Sequence, residues 1–426
     1  MREVLSLPGY WRLASAAALN ELCWFVGTIA LSVLVYRRTG SVLGSSGFFL
    51  CSQAAPAFLG PPLVGWVDRR SPRVLLPVLY AVEALLYALL AWLTTRFVLA
   101  PILVIVVVDG VIALAARSIA TAARTELLKP AGLIREGGAV ASISFSAAYL
   151  AGPLIGGFVT ALGGTMAALL LNCGVFSLMV VALLSHSIPS RTVHEGPDRR
   201  RLRAALLHIR HSPPVFTLLT MKTLIYICLS IPTPLEVVYT VHTLHAGSSG
   251  YGILLAVWGG AALVGSVIYA RLRNRNPNVI LGVSVVLGAA GFAELAVAPT
   301  LAVALIGGVL GGLCTGLLTV IFGVQFQEIV PQSWMALASS VNESLLLLAP
   351  GIGIALGGLI ASLVSVRFAF GVSAVASVIV AAFGLAALVS VQAAERRAAL
   401  EEPGDPAQPA AELDRAQAGF RSHTPA

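Results

Sequence analysis

Long apolar blocks alternate along this chain with short clusters of Arg, Gly and Pro. The blocks fall at roughly 11–36, 44–66, 73–94, 98–122, 138–162, 165–187, 214–240, 249–270, 278–297, 300–326, 333–363 and 367–391. A helix that crosses the hydrocarbon core needs about 20 mostly apolar residues, and lipid-exposed loops cannot satisfy their backbone there. Twelve such blocks predict an all-α integral membrane protein with twelve transmembrane helices. Composition points the same way. Hydrophobic residues make up 58% of the chain and charged residues 11%, against about one quarter charged in soluble domains. The bilayer is therefore the expected solvent. Cys23, Cys51, Cys173, Cys228 and Cys314 all lie inside apolar runs without CxxC spacing, and read as free core residues rather than a disulfide frame. Asn20 and Glu21 interrupt the first block, which reads as a retained helix rather than a signal peptide.

The loops sort by parity. One side collects Arg2, Arg12, Arg69, Arg70, Arg73, Arg124, Lys129, Arg135, the arginines of 191–210, Arg271, Arg273, Arg275, Arg396 and Arg397. The other collects Arg37, Arg38, Arg96 and Arg367. The positive-inside rule makes the first side cytoplasmic. Both termini are then expected inside, in a multi-pass protein of the cell inner (plasma) membrane. The net charge of +8 reports topology and contact with anionic lipid heads. Basic residues scattered over many short loops do not suit nucleic-acid binding. The longest polar interruption, 188–213, has apolar residues at helical spacing opposite arginines and reads as a linker helix on the cytoplasmic surface. It separates an N-terminal six-helix half, 1–187, from a C-terminal six-helix half, 214–391. The tail 392–426 is expected to continue briefly as helix and then to be disordered.

Three matches indicate duplication. GSSG occurs at 44–47 and 247–250, 203 apart; Glu126 and Glu328 are 202 apart; Gly156-Gly157 and Gly357-Gly358 are 201 apart. Ordered matches at nearly constant offset predict two pseudo-symmetric parallel repeats.

Several stretches resemble the major facilitator superfamily. PPLVGWVDRRSPRVLL, 61–76, resembles its cytoplasmic loop signature through Asp68, Arg69, Arg70 and Arg73. It departs from the pattern in placing Gly65 three residues before Asp68, and Ser71-Pro72 where a Gly is usual. Gly152-Pro153-Leu154-Ile155-Gly156-Gly157 resembles the GPxxGG core of the antiporter signature. Small residues there also serve ordinary helix packing. SAAALNEL…IALSVLVYRRTGS, 15–41, is similar to the first span of the siderophore and macrolide exporters. The Arg that many drug:proton antiporters carry in the fourth span has no match here, where Asp109-Gly110 stands after apolar residues and Arg117 lies further on. The resemblance implies a central cavity lined by the first, fourth, seventh and tenth spans. It implies a charge cluster of Asp68, Arg69, Arg70, Arg73, Arg124 and Glu126 that gates the conformational change. A solvated loop is the alternative for those residues.

An ionisable residue inside a span costs about 2.5–3.5 kcal/mol to insert and needs a reason. Glu21, Glu83, Asp109, Arg117, Glu236, Glu294 and Glu343 are such residues. The resemblance turns Glu21, Asp109, Arg117 and Glu236 towards the cavity as a substrate or proton site. It puts Glu83 and Glu294 on outer helices, where bonding between helices is expected. Glu21, near mid-depth, can carry a proton or a cationic substrate, or else bond to a neighbouring helix. Asp109 does the same or is neutralised by Arg117. Glu236 follows IPTP, 231–234, where two prolines disrupt the helix; it lines the cavity or belongs to a loop at the outer mouth. Glu343 is a further candidate. His208/His211 and His242/His245 lack the third ligand a metal site needs. No Walker A, GxSxG or HExxH sequence occurs, so ATP drive and hydrolysis are not indicated. The expected protein is not an enzyme and uses no cofactor or metal. It is a monomeric secondary transporter, exporting an amphipathic or cationic small-molecule substrate against protons. An importer or lipid flippase of the same fold, and a non-transporting receptor, are the alternatives.

Overall fold

A computed structural model describes residue 7 and residues 9–67, 71–184, 212–272, 275–330 and 335–401. Every regular element among these residues is helical. The first span is Tyr10–Thr39, ended by Gly40 in the left-handed conformation (φ 60°). The second begins at Val42, makes a π-helical turn over Leu50–Ala54, and resumes as Ala55–Val67. The third is Pro72–Leu93 and the fourth Leu99–Leu128. The fifth and sixth are halves of Ile134–Leu184, which bends at Gly164 (φ 76°). The fifth and sixth spans thus meet in a sharp reversal with almost no loop.

The seventh span starts as Pro213–Ser230, breaks, and continues as the short helix Leu235–Val238 and a π turn over Tyr239–Thr243. The break falls at the IPTP sequence, since proline lacks an N–H and clashes with the preceding turn. Gly247–Leu272, Pro277–Val297, Leu301–Ile329, Met335–Leu363 and Val366–Glu401 complete the set. Eleven helices among the described residues are long and apolar enough to cross a membrane, and the bend at Gly164 makes twelve crossings of them. The twelve-helix expectation holds. The second span differs from it only in its π turn. Proline opens the third, seventh and ninth spans, where its missing N–H is no loss. We call the face carrying Tyr10 and Glu401 the near end, and the opposite face the far end.

Two six-span halves share one internal design. In the first half the sixth span reaches the first, where Asn172 Nδ2 donates to the Cys23 carbonyl at 2.8 Å. In the second half the twelfth span reaches the seventh, where Ser373 Oγ donates to the Cys228 carbonyl at 2.7 Å. A Cβ on Gly156 would lie 2.9 Å from Val26 Cα, and one on Gly357 3.3 Å from Ile231 Cα. The first and seventh spans therefore correspond at an offset of 205, and the fifth and eleventh at 201.

The other glycine of each pair faces the opposite half. A Cβ on Gly157 would meet the Ser248 carbonyl at 2.7 Å and Gly252 Cα at 2.9 Å; one on Gly358 would meet Ser46 Cβ at 2.6 Å. Ser46 and Ser248 belong to the two GSSG copies. The repeated tetrapeptide and the repeated Gly-Gly are thus two sides of one seam, closed at the far end. Tyr36 and His242 add an edge-on ring contact there at 6.5 Å.

Candidate functional site

The first and fourth spans bring Glu21 and Arg117 together, with Arg117 Nη2 2.9 Å from Glu21 Oε2. This ion pair is only partly enclosed, its side chains 16% exposed at Glu21 and 38% at Arg117. The Arg117 guanidinium also lies over the Trp24 ring, 5.8 Å from its centroid. Arg117 pairs directly with Glu21 rather than with Asp109, on which it acts only through its charge. Eight residues along one helix are about 12 Å of rise, whereas the first span lies alongside the fourth.

Asp109 instead accepts a hydrogen bond from Tyr87 Oη at 3.4 Å, and its Oδ1 is buried without a partner. Gly27 makes room for Tyr87, since a Cβ there would be 2.8 Å from the phenol oxygen. Phe176 stacks on Tyr87 at 5.5 Å from the other side. Glu83, one helical turn before Tyr87, is 0% exposed. Its two carboxyl oxygens have no hydrogen-bond partner, and Asp109 and Arg117 are the charges that act on it. This corrects the expectation of a bonding role between outer helices. The third span is peripheral, but residue 83 is on its inner face. Glu294, the other residue expected to bond between helices, lies against the tenth span, where the Gly307 backbone acts on its carboxyl as a hydrogen-bonding group.

Glu21, Glu83, Asp109 and Arg117 form one group of three carboxyls and one guanidinium, fully buried at Glu83 and partly open at Arg117. The second half does not repeat it. At the offsets of the corresponding helices, Tyr226 stands for Glu21, Gly288 for Glu83, Gly311 for Asp109 and Thr319 for Arg117. Thr319 donates to the Thr315 carbonyl of its own helix at 2.8 Å and lies near enough to act on the Tyr226 phenol, a neutral counterpart of the ion pair. The fold is symmetric and its charge is not.

The remaining candidates stand apart. Glu236 lies in the short helix beyond the break rather than in a loop. Its charge acts on Tyr149 of the fifth span and Tyr251 of the eighth. Glu343 is on an exposed face of the eleventh span, away from the carboxyl group described above. Its neighbour Asn342 accepts a hydrogen bond from Lys222 Nζ at 2.8 Å. Lys222 is buried, lies 5.9 Å from the Phe322 centroid, and feels the charge of Glu343. The sequence reading missed this lysine, although a lone cation inside an apolar span is as legible as a lone carboxylate.

Asp68, Arg69 and Arg70 of the expected gate lie outside the described residues, as do His208 and His211. Arg73 is exposed at the start of the third span. Arg124 spends its donors on its own helix, at the Ala120 carbonyl (3.2 Å) and Thr121 Oγ1 (3.1 Å). Glu126 sits at the near end of the fourth span. Gly152, Pro153, Gly156 and Gly157 are packing residues; a Cβ on Gly152 would meet Phe25 Cβ at 2.7 Å. No group of three or more His, Cys, Asp and Glu suited to a metal occurs among the described residues.

The chain matches the family model described as Major Facilitator Superfamily over residues 13–345 and again over 223–422. The comparison with curated proteins returned no match. Solved structures with the same fold include a bacterial homologue of the human lysosomal transporter Spinster, in an inward-facing and unoccupied conformation. It has a TM-score of 0.70 and 14% identity, over 91% of this chain and 98% of that one. The nucleoside transporter NupG, in a point-mutant form, has a TM-score of 0.68 and 14% identity over 89% and 99%. A bacterial homologue of the iron transporter ferroportin, inward-facing, has a TM-score of 0.67 and 14% identity over 90% and 98%. At such identities the likeness is one of fold.

Proposed function

Since the chain belongs to the Major Facilitator Superfamily, we propose that it is a proton-coupled exporter of an amphipathic or cationic small molecule. The observation that carries this reading is the group of Glu21, Glu83 and Asp109 around Arg117. One guanidinium balances one carboxylate. Two further carboxyls in a region sparingly reached by water must be neutralised, and protons are the simplest means. Arg117 is held by Glu21 on one side and Trp24 on the other, so it is poised between the cavity and the inner carboxyls. A proton arriving at Glu21 frees the guanidinium from its partner and lets it turn towards Asp109 and Glu83. A cationic substrate that competes for Glu21 has the same effect. Either ligand therefore alters the charge of the first half alone.

Rocking of the halves couples this to movement across the membrane. With the near end cytoplasmic, as the arginine distribution argues, the seam at Gly157 and Gly358 closes the cavity to the outside. Glu236, beside that seam, is the carboxylate that a cation meets as it leaves.

Proteoliposomes with an imposed proton gradient test the reading. Wild type should drive uphill efflux of a cationic dye with matching proton uptake. Glu21→Gln and Asp109→Asn should each lose proton-linked flux while remaining folded. Normal uphill efflux by both variants would overturn it.

A further inference from the structure

A trough of about 430 Å³ runs down the outer surface between the third and sixth spans. Its walls are Val74, Val78 and Ala81 on one side and Val180 and Leu184 on the other, and Arg73 heads it at the near end. We propose that this trough is a binding site for one anionic phospholipid of the near-end leaflet, with phosphate at Arg73 and an acyl chain below.

The walls belong to the bilayer-facing surface, for Val78 is 48% and Leu184 69% exposed. Arg73 makes no hydrogen bond or ion pair among the described residues. It lies at the start of a 22-residue helix whose N-cap, Ser71, makes no side-chain cap bond. Val74 N and Leu75 N donate to the Ser71 carbonyl and Pro72 has no N–H, so it is the helix dipole and the Arg73 N–H that favour an anion beside the guanidinium. From Arg73 to Ala81 the helix rises about 12 Å, most of one leaflet's share of a hydrocarbon core about 30 Å thick. A headgroup at Arg73 thus leaves its chain lying along the trough.

Two comparisons within the molecule sharpen the assignment. The counterpart of Arg73 in the second half is Asn278, whose Oδ1 already accepts from Gln325 Nε2 at 3.1 Å. A larger trough, about 690 Å³, follows the twelfth span from Arg367 at the far end. There the guanidinium donates to the Val297 and Ala298 carbonyls, at 3.4 and 2.9 Å, and so caps the ninth span. Of these two troughs, the one at Arg73 joins a lipid-facing wall to a cation with no partner among the described residues. The near-end leaflet is the anionic one if that end is cytoplasmic.

Native mass spectrometry of the full chain tests this, with phosphatidylglycerol and phosphatidylcholine of identical chains offered together. Wild type should retain phosphatidylglycerol about fivefold better, the preference expected of one basic residue at an anionic surface. Arg73→Gln should abolish the preference and Arg73→Lys keep it. Ala81→Trp, which fills the trough but spares the arginine, should lower retention of phosphatidylglycerol. Glycerophosphoglycerol, the headgroup without chains, should not displace the lipid. No preference in wild type, or an unchanged preference in Arg73→Gln, overturns the proposal. Unchanged retention in Ala81→Trp, or displacement by glycerophosphoglycerol, overturns the trough as the chain's seat. Should Arg73→Gln not fold, the lysine and tryptophan variants decide the matter.

Discussion

Glu21 and Arg117 depend on each other for their place in the first half. Removing one member of a buried pair strands the other charge, and costs roughly 3–5 kcal/mol when both are fully enclosed. Here Arg117 keeps 38% of its side-chain surface, so water screens part of the loss. Glu21→Gln should lower stability by about 1–2 kcal/mol. Glu21→Gln/Arg117→Gln should recover much of that, because no charge is left unpaired. Unfolding measurements on the four members of the cycle check it; strictly additive losses would show that the contact carries no coupling. Each of the two residues was legible alone as a charge in an apolar span. Their pairing was not, because nothing in the chain says which helices lie side by side at which depth. The same gap misassigned Glu83. The resemblance placed its helix on the outside, but which face residue 83 occupies depends on the rotation of that helix against the fourth span.

Glycine has opposite meanings at different points of these helices, and only packing tells them apart. Gly157 touches the opposite half, whereas Gly174 in the same long helix has no atom within 4 Å of an added Cβ. Gly174→Ala should stabilise by about 0.5–1 kcal/mol through helix propensity. Gly157→Ala should force the Ser248 carbonyl and Gly252 away and weaken the seam by about 1–3 kcal/mol, without unfolding either half. Labelling of a cysteine placed at the buried Ser248 reads this out. In the Gly157→Ala background the rate should rise by about tenfold; equal rates would mean that the seam yields without cost. The paired Gly-Gly motifs were visible in the sequence because repetition marks them. The π turn at Leu50–Ala54 was not. It has no composition of its own, and becomes intelligible only beside Gly110, where an added Cβ would lie 3.3 Å from the Ser52 carbonyl.

At the scale of the whole molecule, shape and charge follow different rules. Shape obeys the duplication: Asn172 and Ser373 tie the sixth and twelfth spans to matching carbonyls, at 2.8 and 2.7 Å. Charge does not, since the carboxyl group has only Tyr226, Thr319 and glycines as its counterpart. If the halves rock as rigid bodies, a proton taken up in the first half must be felt at both ends of the molecule. Spin labels at Leu162 and Val364, exposed tips of the far end, should then move apart on acidification with a cationic substrate. Labels at Lys129 and Arg271, exposed at the near end, should move together in the same samples. Glu21→Gln/Glu83→Gln/Asp109→Asn removes the titrating groups but leaves the seam intact, so its distances should no longer follow pH. Far-end opening without near-end closure would instead mean a local gate, hinged where Pro232 and Pro234 already interrupt the seventh span.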